Sequence, residues 1–338
     1  QAYWMMNTLI PLDILYFNPE RRLVSQQRNV QPCPAGTRCP AYPSGAPALY
    51  VLELNAGEAE RLGLEDGAEL RFGPGIPARD PAHAWGMDTR IQLPSWESLA
   101  GGDDADIPLL GAALLIARDE YPELDPHYYE AMVSQHVAQL RPRLEGIEQS
   151  PLRMMAINQY LFDELGYAGN HEEYYDPRNS YLNEVIERRL GIPISLALVQ
   201  MEVARRLDMP LDGISFPGHF LVRLPVDDGV LVMDPFNRGR PLDADELRER
   251  VQPHLAGGGL DDHALHEILN PASHRTILVR MLRNLHAVYS EQEDWARAVR
   301  CADRVLKLLP DDPDALRGRG MGYLHLGHLL GAREDLGR

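Results

Sequence analysis

Between Gly191 and Phe236 the chain commits to one order of elements. Gly191 and Pro193 make a turn, and proline suits the first position of a helix because its missing N–H would have no helical partner there. The run that follows, ISLALVQMEVARRL, reads as a helix. HFLVRLPV and VLVMDPF, which come next, read as two strands. A helix feeding a strand pair makes the centre of this chain α+β. It also sets three polar residues at defined places: Ser195 in the first helical turn, His219 on the first strand behind Pro217 and Gly218, and Asp234 at the end of the second. Intervals of 24 and 15 residues fit a helix with a return loop and then a hairpin, which can lay His219 beside Asp234.

Such a set has the residue types of a nucleophile, a base and an orienting acid. Exposed N–H groups and the helix dipole favour negative charge at Ser195. His219 is the matching base, and Asp234 would hold the imidazole in one tautomer. Serine is the weak member. Its hydroxyl needs strong general-base help and an oxyanion hole, and Pro193–Ile194–Ser195–Leu196–Ala197 is not a Gly-x-Ser-x-Gly elbow. Taken singly, each residue also has a structural use. Ser195 can serve as a helix N-cap, His219 as a buried hydrogen-bonded imidazole, and Asp234 before Pro235 as a turn former. Asn183 and Glu184, in YLNEV, are candidate supports of the site. Asn158 and Gln159 are candidate amide donors, with simple solvent exposure as the alternative.

The flanks differ from this centre and from each other. Residues 1–75 are rich in strand formers (TLIPLDILYF, ALYVLEL), with a short helix expected after Asn55 and a tight turn at EDGAELRF. Residues 76–104 are dense in Pro, Gly and Asp and read as a linker, within which Met87 is a natural start for everything downstream. From Ile107 apolar residues recur at helical spacing. The domains are therefore expected at 1–75, 105–275 and 276–338, with 76–104 as the linker. The chain opens at Gln1 and closes inside a helical pattern, so both the first and the last domain are expected to be cut short.

Composition removes several functions. A formal net charge of −17 argues against nucleic acid and against an anionic membrane surface, and no run reaches the length of a membrane helix. Lys307 is the only lysine and lies in a repeat-like helix, which sets Schiff-base chemistry aside. No P-loop or dinucleotide fingerprint occurs. His263 and His266 stand three apart without a third clustered ligand and read as a helix surface. No cofactor or metal is expected. Cys33 and Cys39 are close enough for a small disulfide loop, with two free thiols as the equal alternative. Cys301 reads as packing.

At the C-terminus, Leu282, Leu285, Tyr289, Ala298, Ala302, Val305 and Pro310 fall at the positions of a tetratricopeptide unit. A second copy follows with Leu316, Gly320, Tyr323 and Ala332, and Ala298 and Ala332 are one 34-residue repeat apart. Two repeats are too few to stand alone and are expected to pack on the central domain or on further repeats beyond the cut end. They offer either a peptide-binding groove or a structural cap.

Three resemblances add to this. AYWMMNTLIPLDILYF and VQPCPAGTRCPAYPSGAPALYVLELNAGEAERLGL resemble the domain-of-unknown-function family numbered 192, which implies a compact β-rich fold, lacks its first strands here, and carries no established activity. NQYLF, YYDPRNSYLNEV, RRLGIPISLAL, FPGHFLVR and DPF, in that order, resemble the SirB-type branch of the transglutaminase-like superfamily from about residue 106 onward. That branch pairs a papain/transglutaminase-like α+β core with C-terminal tetratricopeptide-like helices. The resemblance implies a Cys–His–Asp triad whose cysteine position is held here by Ser195, with His219 and Asp234 as its partners. The expected function is a non-catalytic or regulatory platform that keeps the fold and binds a protein or peptide through the C-terminal helices. A serine-dependent hydrolase or acyl-transfer enzyme using Ser195, His219 and Asp234 is the alternative. The expected compartment is the cytoplasm, with an exported origin open for the N-terminal piece.

Overall fold

In the computed structural model the described residues are 2–3, 5, 10–18, 20–33, 40, 42–46, 48, 50–71, 93–227, 229–254 and 261–337. They form two compact units, residues 1–90 and 91–338. Met87 and Cys39 lie outside the described residues, and with Cys39 the expected disulfide.

In the first unit, β1 (Ala2–Tyr3) pairs with β4 (Tyr42–Pro43), while β2 (Leu12–Phe17) runs between β3 (Leu23–Val30) and β5 (Tyr50–Asn55) in an antiparallel sheet. Successive side chains of a strand face opposite ways, and β2 buries both faces. Ile14 and Tyr16 pack with Met5 and Val30, whereas Leu15 and Phe17 pack with Leu23 and Ala59. The helix expected after Asn55 is α1 (Glu58–Arg61). Buried Asp13 accepts from the N–H groups of Gly57 and Ala59 with one oxygen and from Asn29 with the other, so one carboxylate ties two strands to the start of α1.

The second unit is built around one helix. Its elements are α2 (Trp96–Gly101), α3 (Leu109–Arg118), α4 (Pro126–Leu140), α5 (Ser150–Asn158), β6 (Ala168–Gly169), α6 (Leu182–Arg188), β7 (Leu190–Gly191) and α7 (Pro193–Arg206). An antiparallel sheet in the order β11–β10–β9–β8 follows, made of β8 (Asp212–Ile214), β9 (Leu221–Val226), β10 (Gly229–Asp234) and β11 (Arg240–Leu242). α8 (Ala244–Val251) and α9 (Asp262–Ile268) cover it. Every residue of α7 from Pro193 to Ala204 is buried, which is the state of a helix with no polar face. Helices α3 to α6 and strands β8 and β9 all contact it. This is the α+β core that the Gly191–Phe236 order predicts.

α2 falls inside the stretch expected as a linker, 76–104. Ser95 caps α2 reciprocally with Ser98, and Trp96 and Leu99 are buried against α11 (Trp295–Leu308). Pro94, Gly101 and Gly102 make this stretch look linker-like, but the two apolar residues three apart are enough to anchor it.

The last four helices, α10 (His274–Glu291), α11, α12 (Pro313–His325) and α13 (Leu329–Leu336), pack as successive hairpins. Ala298 and Ala332 are 1% and 3% exposed, so the small residues one repeat apart do let the helices close on each other. The expected packing on the core is ionic as well as apolar. Arg297 and Arg300 donate to the Glu120 carboxylate, Arg304 to that of Asp119, and Arg300 also to the Asp119 carbonyl at the end of α3. Buried Tyr181 and Tyr289 share a 2.8 Å hydrogen bond between hydroxyls.

Leu196→Ala, which empties a fully enclosed position of α7, is expected to cost about 2–5 kcal/mol. Arg205→Ala, which removes an exposed guanidinium from Glu202 while Arg206 still pairs with that carboxylate, is expected to cost under about 1 kcal/mol. Urea unfolding midpoints at unchanged slope measure both.

Candidate functional site

Pro193 is the first residue of α7 and Ser195 the third, so Ser195 is not the N-cap; Ile192 is. The serine acts on the cap from inside the helix. Its hydroxyl oxygen accepts from the Ile192 N–H at 3.1 Å, and its proton points at the Asn179 carbonyl at 2.6 Å, with the Ile192 carbonyl at 3.1 Å. Ser195 is 0% exposed. A Cβ on Gly191 would lie 2.6 Å from the Ser195 oxygen, so only glycine fits against it. β7 carries Gly191 alongside Gly169 of β6, and a Cβ on Gly169 would strike the Phe236 ring at 2.4 Å. The serine therefore lies directly against Gly191, whose strand partner is Gly169.

His219 and Asp234 are brought together. His219 lies in the turn before β9, which begins only at Leu221, and not on the strand as the sequence reading has it. Gly218 explains the difference: its φ of +68° turns the chain, and a Cβ there would meet the His254 ring at 2.4 Å. The His219 carbonyl is held by Arg280 of α10 at 2.6 Å. β9 and β10 then pair antiparallel and return Asp234 to the histidine, with Nε2 to Oδ1 at 2.8 Å. The imidazole is 21% exposed and the carboxylate fully enclosed. His219 makes no hydrogen bond to Ser195 or, through Nδ1, to any described residue.

Asp234 is a hub. Oδ1 also accepts from the Phe236 N–H at 3.1 Å, and Oδ2 accepts from Asn237 at 2.6 Å and from Arg250 of α8 at 2.8 Å. Burial alone would push the carboxyl up. The hydrogen bond and charge of His219, with the donors of Arg250 and Asn237, outweigh it and hold the group well below the usual carboxylate range. Arg250 shares the charge that a lone His–Asp pair would keep for an imidazolium.

Around this hub stand aromatic rings. Phe236 has the rings of His171 at 4.4 Å, Tyr174 at 5.8 Å and His219 at 6.1 Å. His171 is exposed and Tyr174 is 39% exposed, so aromatic rings beside the pair reach solvent. Sequence reading missed Arg250, Asn237, Arg280, His171 and Tyr174. Asn237 carried a signal, since an Asp followed three residues later by an amide is a common local turn. Arg250 and Arg280 come from helices remote in sequence, and nothing local marks them.

The remaining candidates lie elsewhere. Asn183 and Glu184 are buried on α6, and neither bonds His219 or Asp234; Glu184 faces Tyr121 at the end of α3. Asn158 supports the loop after Asp234, donating to the Gly239 carbonyl at 3.2 Å and accepting from Gln200 at 2.6 Å. Gln159 is exposed.

Because its folded-state ionisation is depressed, Asp234 contributes stability that is complete above about pH 4 and is lost as pH falls further. Asp234→Asn is expected to be less stable at pH 7 and to flatten this acid limb. Urea midpoints between pH 2.5 and 7 for both proteins provide the check.

Comparison with known proteins agrees with this architecture. Residues 127–283 match the model of a transglutaminase-like superfamily, residues 1–72 that of an uncharacterised family, DUF192, and residues 285–338 that of a tetratricopeptide repeat. A UPF0162 protein of Xylella fastidiosa is 66% identical over 252 residues, 75% of this chain and 90% of that protein. A second, from Pseudomonas aeruginosa, is 34% identical over 230 residues, 68% and 83% of the two chains. F-box only protein 21 of Mus musculus is 32% identical over 184 residues, 51% of this chain and 28% of that protein. No solved structure matches. With a transglutaminase-like core, a tetratricopeptide end and two thirds identity across nine tenths of a relative, the chain belongs to the UPF0162 family.

Proposed function

We propose that this protein is a non-catalytic binding platform, in which the transglutaminase-like core is a scaffold and the tetratricopeptide helices engage a protein partner. One observation carries the reading: the residue at the nucleophile-equivalent position, Ser195, has its proton and a lone pair committed to backbone groups in a fully enclosed place. An attacking hydroxyl needs a base within hydrogen-bond reach and access to a substrate carbonyl. Ser195 has neither. Cys301, the free cysteine among the described residues, is no substitute, since burial between α10 and α11 pushes its thiol up to about 12.

The polar residues of the old triad layout each have structural work that explains their presence without chemistry. Ser195 satisfies the buried start of α7. Asp234 joins the end of β10 to α8 through Arg250. His219 closes the turn that feeds β9. The tetratricopeptide helices support a protein partner as the occupant, because stacked helical repeats present extended surfaces. The similarity to F-box only protein 21 covers about half of this chain within a much longer protein. The compartment that suits this reading is the cytoplasm.

The serine-dependent enzyme keeps one favourable observation, the His219–Asp234 pair at 2.8 Å. It requires Ser195 to leave three backbone contacts.

Full-length protein treated with a fluorophosphonate probe is expected to show no fold-dependent labelling. Ser195→Ala is expected to lower stability by about 1–3 kcal/mol, through the buried Ile192 N–H left without its acceptor. Labelling that disappears on heating and in Ser195→Ala would overturn the platform reading.

A further inference from the structure

We propose that the second unit holds a small inorganic anion inside its core, between α4, the π-helical turn that follows α5, and the end of α6. Three side chains of one buried cluster each leave a polar atom unbonded there: Arg189 Nη2, the Tyr167 hydroxyl and His136 Nε2. All three residues are more than nine-tenths buried, at 4%, 2% and 4% exposure. They belong together. The His136 ring meets those of Tyr160 and Tyr167 edge-on at 5.9 and 6.1 Å, and the Arg189 charge acts on His136 and on both tyrosines.

The chemistry of the donors selects the ligand. A guanidinium can only donate. His136 Nδ1 faces the Tyr160 hydroxyl at 3.4 Å. With that hydroxyl donating to Nδ1, the ring proton sits on Nε2, which becomes a donor. The Tyr167 hydroxyl has a proton and no described acceptor. Three donors of one buried cluster and a buried positive charge leave no place for a cation. One water accepts about two hydrogen bonds and brings two protons that need acceptors of their own. A monovalent anion accepts all three and cancels the charge.

Charge balance points the same way. Arg189 spends Nη1 on the Leu165 carbonyl at 2.6 Å, and among the described residues no carboxylate forms an ion pair with it. An uncompensated buried charge costs several kcal/mol. The place matters too. Arg189 has a φ of +57° at the end of α6, its carbonyl accepts from Ala168, and two residues on stands Gly191, the glycine against Ser195. The anion fixes the turn that shapes the start of α7.

The test uses bromide as the probe. Melting of the full chain is followed in potassium bromide and in potassium gluconate at matched ionic strength, and crystals grown in bromide are examined for anomalous scattering. Bromide is expected to raise the melting temperature saturably, with an anomalous peak among Arg189, Tyr167 and His136. Tyr167→Phe keeps the volume and removes one donor. It is expected to move the midpoint of the bromide effect upward about ten- to a hundredfold. Identical melting in the two salts, or peaks only at surface positions, would show a water-filled or empty cluster and overturn the proposal. If Tyr167→Phe fails to fold, the wild-type titration and the peak position decide.

Discussion

α7 is enclosed from Pro193 to Ala204, and a helix enclosed at its start must satisfy its first N–H groups without water. Here Pro193 removes one donor from the problem, and the Ser195 hydroxyl turns back on the Ile192 N–H. Much else in the second unit follows from that arrangement. The hydroxyl needs space, so the neighbouring residue is Gly191; Gly191 pairs with Gly169; and Gly169 gives Phe236 a flat surface on which to lie. Phe236 in turn follows Asp234 by two residues and leans on His219. The position of the His–Asp pair is thus set partly by how a helix end was made self-sufficient.

That chain of contacts explains which parts of the site could be read in advance. Pro193, the helix behind it and the two strands are local signals, and the spacing of His219 and Asp234 contains the hairpin that joins them. The tetratricopeptide helices were legible for the same reason, because Ala298 and Ala332 mark the repeat length directly. What a linear reading lacked was direction and depth. Ser195 falls in the first turn as expected, yet whether a first-turn hydroxyl faces a cleft or its own cap depends on what packs over it. Asn179, which takes its proton, comes from a turn sixteen residues earlier. The helix at Trp96 was hidden by surrounding Pro and Gly, whose conformational message outweighed two apolar residues in a short window.

Asp234 shows how one residue can satisfy two readings at once. In a triad the acid bonds the imidazole nitrogen opposite the one that faces the nucleophile. Asp234 does bond one nitrogen of His219, and the other has no partner among the described residues. It also binds Arg250, Asn237 and its own following turn, as a carboxylate joining a strand to a helix would. The geometry of the pair is common to both roles; the surrounding donors support the structural one that we propose. An acid kept for catalysis gains from devoting its charge to the imidazolium, whereas this one divides its charge with a guanidinium.

The same logic applies at the other end of the site. Arg189 is a buried arginine whose charge acts on Tyr160, Tyr167 and His136. In water such a group would cost nothing, but at 4% exposure it must be balanced or it opposes the fold. The two arginines therefore answer one another. Arg250 finds its counter-charge in Asp234, which ties β10 to α8. Arg189 forms no ion pair with a described carboxylate, and its guanidinium donates to the Leu165 carbonyl; the anion we propose would supply the missing counter-charge beside the turn into β7.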